Sequence, residues 1–397
     1  MVKHTRDIAV IAGCVYFVQG ALGISGIALP LYLRSLNWTV SEITTVVSIS
    51  AFPWVLKILY GLLSDVFPIA GLRRKSYLIL CSILSVIGWG CMALLPGEKH
   101  LIMGAMIISN LGLAATDVIT DGLIVEHSNA FTSPIYQSIA WGSRSAGAFL
   151  SGFTGGWLAQ HWEPRYVFMI SMCLPIVITL VSFWIIEKPV SAPPFKDVWS
   201  PIKRCFGLIQ TSNIRYFIAI LIFGAASSTF GTPFFFHLKE KLGFQETFLG
   251  MLSSLGWVGA MLGSFLYMKW FRKYSPKTVL KWAMLINSIN IWSTLFISDI
   301  QSAIIFVFLG GVLGCIAILP MMSTSASLTR QTGVEGTLFA ILMSVFNMGQ
   351  IFFGYVGGKV YEQIGLNVLI LSTGVFALGA LYFVQKLRFD IISEPPK

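Results

Sequence analysis

Charge is what this chain has least of. Only 11% of its 397 residues are Asp, Glu, Lys or Arg, against about 25% in an ordinary soluble protein. So few charges cannot cover the surface of a soluble fold of this size. A cytosolic enzyme, a nucleic-acid binder and a disordered chain are all excluded on that ground. Cysteine is also sparse and has no pattern. Cys14, Cys81, Cys91, Cys173, Cys205 and Cys315 form no C-x-x-C pair, and five lie in apolar stretches, so they read as packing residues. No metal site and no cofactor are expected. A phosphate-binding G-x-x-x-x-G-K-[ST] loop is missing too, so ATP-driven pumping is not expected.

Apolar residues dominate, at 55%. A membrane-crossing helix needs roughly 20 of them. Continuous apolar windows predict twelve helices, at 8–33, 41–62, 75–95, 100–126, 134–160, 166–186, 214–238, 245–268, 277–297, 301–323, 336–358 and 366–385. The runs are continuous rather than alternating, which disfavours a membrane β-barrel. Ile11-Ala12-Gly13-Cys14 has the look of a lipoprotein cleavage box. Only three apolar residues separate Asp7 from it, too few for a signal core. We read this stretch as the first membrane helix.

The net charge of +10 is first a topology signal. With the N-terminus placed inside, nineteen of the 27 basic residues fall in inside segments and six in outside segments. Lys57 and Arg144 remain within helices. That bias places both termini in the cytoplasm. The longest polar interruption, 187–213, carries Pro189, Pro193, Pro194 and Pro201 and reads as a linker. The expected domains are therefore an N-terminal six-helix bundle over 1–187, a cytoplasmic linker over 188–213 and a C-terminal bundle over 214–397. The two halves repeat weakly. Gly20-Ala21-Leu22-Gly23 followed by Pro30 is echoed by Gly224-Ala225-Ala226-Ser227 followed by Pro233. Ser41-Glu42 and Trp54 match Gln245-Glu246 and Trp257. A parallel six-plus-six repeat is the architecture of major facilitator transporters, with a central site between the halves.

The most specific stretch runs from Lys57 to Lys75, KILYGLLSDVFPIAGLRRK. Gly61 would let a neighbouring helix approach. Asp65 lies at the inner helix end, and Arg73, Arg74 and Lys75 anchor the next helix. The stretch resembles the signature loop of the major facilitator superfamily. That resemblance implies a gate latch in which Asp65 docks at a helix N-terminus near Gly333–Gly336. Phe67-Pro68 and Gly71 before Arg73-Arg74 make the loop longer than the general pattern. This version is similar to that of the folate–biopterin transporter family. A second stretch, Asp117-x-x-x-Asp121-x-x-x-x-Glu126, strengthens the resemblance, as do Gln137, Gly142, Arg144 and Gly147.

A charge at the bilayer centre costs about 2.5–3.5 kcal/mol on insertion scales, so each one needs a partner or a water-filled cavity. Asn110, Asp117 and Asp121 share a stripe of the fourth helix. Gln137, Arg144 and Ser151 share a face of the fifth. Counting turns from the inner loops predicts two ion pairs, Asp117–Arg144 and Lys57–Asp121. Such pairs either lock the N-terminal bundle or line a cavity. In the second case Arg144 would grip an organic anion, and Asp117 or Asp121 would carry a proton. Gln19 shares a face with Gly23 and Gly26 and is a further cavity residue. Glu126 reads as a loop anchor or gate residue. The C-terminal half carries only neutral polar groups at comparable positions, among them Asn287, Asn290, Asn347 and Gln350. These could bond a heterocycle or one another. Trp38, Trp162 and Trp270 read as interfacial residues.

The expected function is alternating-access transport of folate or a related pterin, coupled to protons, as the resemblance implies. Muropeptide-like or acetyl-CoA-like organic anions are alternative substrates. An intramembrane Mg-dependent transferase using Asp117 and Asp121 is a third reading, weakened because Mg²⁺ needs more oxygen ligands than the spans supply. The expected partners are a small organic anion, a proton and the lipid bilayer, with no nucleic acid. The chain is expected to act as a monomer, crossing the plasma or inner membrane many times, though an organelle membrane fits as well.

Overall fold

A computed structural model describes residues 2–127, 133–189, 195–270, 274–330 and 332–388. These residues are helical nearly throughout. In chain order the helices are α1 (Asp7–Ser35), α2 (Val40–Val66), α3 (Lys75–Leu94), α4 (Lys99–His127), α5 (Ser133–His161), α6 (Pro164–Ser182), α7 (Phe195–Ile209), α8 (Ser212–Lys241), α9 (Glu246–Lys269), α10 (Pro276–Ser293), α11 (Ile300–Thr329) and α12 (Glu335–Lys386). Among the described residues, nine of them, all but α5, α7 and α10, are long and apolar enough to cross a membrane. In lipid a helix satisfies its own backbone, which is why no other element is needed. α5 is long but interrupted by Gln137, Arg144 and Gln160. α12 is one run broken at Gly365, whose φ of 74° and ψ of 171° no side-chain-bearing residue adopts without strain.

Two compact units form. One comprises Met1–Thr39, Ile49–Val198 and Phe244–Ser254, and the other Val40–Ser48, Trp199–Gly243 and Leu255–Lys397. In the first, α9 starts against the end of α5. Gln160 Oε1 accepts from the Thr247 backbone N–H at 3.2 Å and from its hydroxyl at 2.6 Å. In the second, the start of α2 meets α12, with the Ser41 N–H donating to Glu362 Oε1 at 3.2 Å. Lipid tails are as apolar as leucine, so such contacts are held by close packing and hydrogen bonds rather than by expulsion of water.

The internal repeat appears as a shared irregularity. α1 tightens to 3₁₀ geometry at Leu22–Ser25, and α8 does so at Ala225–Phe230. Both tightenings lie just before the prolines that the sequence aligns, Pro30 and Pro233. α2 has a 3₁₀ turn at Phe52–Val55, opened by Pro53. α9 has Trp257 near the matching place and stays regular.

The interruption at 187–213 is more than an extended linker. It contains α7, in which Cys205, Leu208 and Ile209 form an apolar stripe at helical spacing. Cys205 is fully buried with Ile214, Phe217, Leu280 and Leu338. Pro193 and Pro194, along with the basic residues Arg272, Lys273 and Lys397, lie outside the described residues. Trp38 is packed inside its unit rather than exposed on the surface. It is buried beneath the Lys99 ammonium, 5.5 Å from the ring centroid. Trp162 is exposed, as expected.

Candidate functional site

The ionisable residues of α1, α2 and α4 form a ladder inside the first unit. Pro53 ends the N-terminal part of α2 with a 3₁₀ turn, and Lys57 opens the C-terminal part. Its ammonium lies 2.7 Å from Asp117 Oδ2 on α4. The other carboxylate oxygen, Oδ1, accepts from Gln19 Nε2 on α1 at 2.9 Å. Above this rung, Trp54 Nε1 donates to Asn110 Oδ1 at 2.9 Å, and Lys57 sits 5.1 Å from the Trp54 ring centroid. Below it, the Tyr16 hydroxyl donates to Asp121 Oδ1. Tyr16 and Gln19 are one turn apart on α1, as are Asp117 and Asp121 on α4, so the rungs are in register.

These pairings correct the expected ones. Lys57 pairs with Asp117, not Asp121, and Asp117 does not pair with Arg144. The reason is a helix end. α2 continues past Leu63 to Val66, which places Lys57 nine residues before its C-terminal end. Asp117 is ten above His127. At 1.5 Å per residue both lie about 14–15 Å deep.

Arg144 has no hydrogen-bond or ion-pair partner among the described residues. Its guanidinium lies 5.4 Å from the Trp141 ring centroid. Its backbone packs directly against Gly20, the neighbour of Gln19, where any side chain would collide with the Arg144 carbonyl. The site thus places a half-buried, unpaired cation beside a row of paired groups. Gln19 Oε1 is buried and lacks a partner. An unfilled buried acceptor costs about 1–3 kcal/mol. Asp121 has a hydroxyl donor but no cation within ion-pair distance among the described residues.

A second cluster lies where the end of α2, the start of α3 and the end of α4 meet. Arg74, only 6% exposed, donates to Ser64 Oγ at 2.6 Å and to Glu126 Oε1 at 2.6 Å. It also pairs with Asp65 Oδ1 at 2.8 Å. Burial works against the Arg74 charge. The Glu126 hydrogen bond and the charges of Asp65 and Glu126 outweigh it and hold the guanidinium above the ordinary arginine value. Arg73 stands 3.8 Å from Glu126. Asp65 is therefore engaged by Arg74. Within the second unit, the Gly333 N–H donates to Glu335 Oε1 at 3.0 Å. Gly61 faces Val118 at ordinary contact distance, 3.5 Å for an added Cβ, so its expected role in close approach is not needed here.

Three participants were not anticipated. Gly122 makes room for Arg74, since a Cβ there would come within 2.9 Å of the guanidinium carbon. Glu187 sits on the N-terminus of α3. It accepts from the backbone N–H groups of Arg73 at 2.7 Å, Arg74 at 3.1 Å and Lys75 at 2.9 Å, where the helix dipole favours an anion. Tyr16 completes the lower rung. An interior glycine beside Asp121 was a legible signal for the first. A lone tyrosine in an apolar run offered none. In the second unit, Asn287 is buried with its Nδ2 unpartnered, as is Ser344 Oγ.

The fold is that of major facilitator-type transporters. The nucleoside transporter NupG superposes with a TM-score of 0.76, at 14% identity over 96% of this chain and 98% of that one. A D-xylose–proton symporter gives 0.71, at 15% identity over 96% of each chain. The molecule is a multi-pass integral membrane transporter, not an enzyme. The BT1 family model matches residues 19–370, and the chain belongs to that family. Among its relatives, the folate-biopterin transporter of Synechocystis sp. is 28% identical, covering 94% of this chain and 80% of the relative. Folate transporter 2 of Plasmodium falciparum is 25% identical, covering 94% and 87%. The resemblance drawn from the two helical motifs therefore holds along most of the chain.

Proposed function

We propose that this protein is a secondary transporter of folate or a related pterin-bearing organic anion, working by alternating access and coupled to protons. Twelve crossings, both termini in the cytoplasm, domains at 1–187 and 214–397 and action as a monomer complete the reading. The observation that carries it is Arg144. Lys57 is matched by Asp117 at 2.7 Å, whereas Arg144 has no carboxylate within ion-pair distance among the described residues. A planar guanidinium in a membrane protein binds a carboxylate through two parallel N–H donors. The folate-named relatives supply the substrate class.

Asp121 is the proton carrier in this reading. Asp117 is tied to both Lys57 and Gln19, so protonating it breaks an ion pair. Asp121 is hydrogen-bonded by the Tyr16 hydroxyl and has no cation within ion-pair distance among the described residues, so protonating it breaks no ion pair. The Arg74 cluster, with Asp65, Arg73, Glu126 and Gly61 nearby, serves as the inner gate. The test is uptake of labelled folate by cells and by proteoliposomes, with and without an inward proton gradient. Uptake is expected to rise with the gradient and to fall at least tenfold in Arg144→Ala at equal membrane abundance. Uptake of other organic anions without folate would overturn the substrate assignment.

A further inference from the structure

The hydrogen bonds around Asp117 fix more than the charge balance. A carboxylate offers acceptors only. One Asp117 oxygen takes the Lys57 ammonium at 2.7 Å and the other takes Gln19 Nε2 at 2.9 Å. Gln19 must therefore present its NH₂ to Asp117, because a flipped amide would set oxygen against oxygen. The amide orientation is locked, and Oε1 points away from α4. That oxygen is buried and has no partner. Its neighbours do not supply one. Tyr16, one turn away, spends its proton on Asp121. The next residue, Gly20, carries no side chain, and Ser151, which faces that turn, donates to the Gly20 carbonyl at 3.0 Å.

We propose that Gln19 Oε1 is the acceptor that reads a donor N–H on the substrate's heterocycle, and that it selects rings bearing an exocyclic amino group over rings bearing a carbonyl there. The inference rests on the pterin reading above and deepens it. Asp117 and Lys57 act as positioning residues: they hold the amide, and the amide oxygen meets the ring. A 2-amino-4-oxopteridine edge presents an amino group that completes the unfilled acceptor. A 2,4-dioxopteridine places a carbonyl oxygen there and leaves two acceptors facing each other. Sites built around a hydrogen bond reject the analogue lacking it more strongly than sites built on shape. Arg144, packed by its backbone against Gly20, remains free for the anionic tail.

The experiment is competition against labelled folate uptake by the full-length protein in proteoliposomes. The two competitors are the 2-amino-4-oxo and 2,4-dioxo pteridines. The amino compound is expected to compete at least tenfold better in the wild type. Gln19→Met, which keeps the length and removes the acceptor, is expected to bring that ratio close to one while retaining folate uptake at a raised KM. Gln19→Asn keeps an amide on a shorter arm and is expected to give an intermediate ratio. A general packing defect would lower uptake of folate without changing the ratio. Equal competition by the two pteridines in the wild type would overturn the inference whatever the variants do. An unchanged ratio in Gln19→Met would overturn it too. If the wild-type protein takes up no folate at all, the substrate reading itself fails, and that result is separate from either of these.

Discussion

Lys57 Nζ and Asp117 Oδ2 meet at 2.7 Å, with side-chain exposures of 21% and 5%. Each is the other's charge partner, and Gln19 fills the remaining carboxylate oxygen. Removing one partner of such a pair leaves a charge in a poorly hydrated place, at a cost of about 3–5 kcal/mol. Lys57→Met and Asp117→Asn are each expected to lower the melting temperature of the purified protein clearly. The double variant is expected to recover most of the loss. If the double variant melts no higher than the worse single one, the two residues are not a pair in the working protein.

Asp121 stands one turn from Asp117 but has Tyr16 rather than a cation as its partner. Asp121→Asn is therefore expected to fold normally and to exchange labelled folate for unlabelled folate across the membrane. Its uptake should no longer respond to an imposed pH gradient. Tyr16→Phe should weaken that response without abolishing it. Retained gradient-driven accumulation in Asp121→Asn would move the proton elsewhere.

Two glycines near the C-terminal ends of α2 and α4 make opposite predictions. An added Cβ at Gly122 would come within 2.9 Å of the Arg74 guanidinium, whereas at Gly61 it would meet Val118 at 3.5 Å. Gly122→Val is expected to displace Arg74 from Ser64 and Glu126 and to reduce transport at least tenfold. Gly61→Ala is expected to leave both stability and transport within about twofold of wild type. Initial uptake rates at matched membrane abundance check both.

Asp299 gives a pH dependence whose sign follows from its hydrogen bonds. It caps α11, its side chain accepting from the Ser302 backbone N–H at 2.9 Å while Ser302 bonds back to the Asp299 N–H. The Ser302 backbone N–H, with Ser298 adding to it, holds the carboxyl below the ordinary aspartate range. A lowered folded value stabilises the fold above the unfolded value, and that contribution is lost as pH falls through the folded one. Asp299→Asn should thus melt below wild type at pH 7, and the gap should narrow as acidification carries the pH below the ordinary aspartate value and through the lowered folded one. A gap that widens with acid would contradict this account.

Much of the molecule was legible in one dimension. The helices follow from uninterrupted apolar runs, because lipid admits only segments that satisfy their own backbone. The resemblance rested on Asp65, Arg73 and Arg74 and on Asp117, Asp121 and Glu126, whose spacing survives in a single sequence. The stripe on α4 was legible as well, since 3.6-residue periodicity places Asn110, Asp117 and Asp121 on one side. The helix inside 187–213 was hidden by its prolines, although Cys205, Leu208 and Ile209 carry a helical period.

What the sequence by itself determined is therefore which residues lie in the membrane, which of those are charged and which face each one occupies. These properties depend on local composition and helical geometry. Only the tertiary structure decided who meets whom. Three further residues on α2, from Leu63 to Val66, moved Lys57 from Asp121 to Asp117, because a pairing across helices depends on depth to within one turn. That arrangement left Arg144 without an ion-pair partner and Gln19 Oε1 without a donor among the described residues. Neither vacancy is a property of a residue type. Each arises from three helices packed in one register.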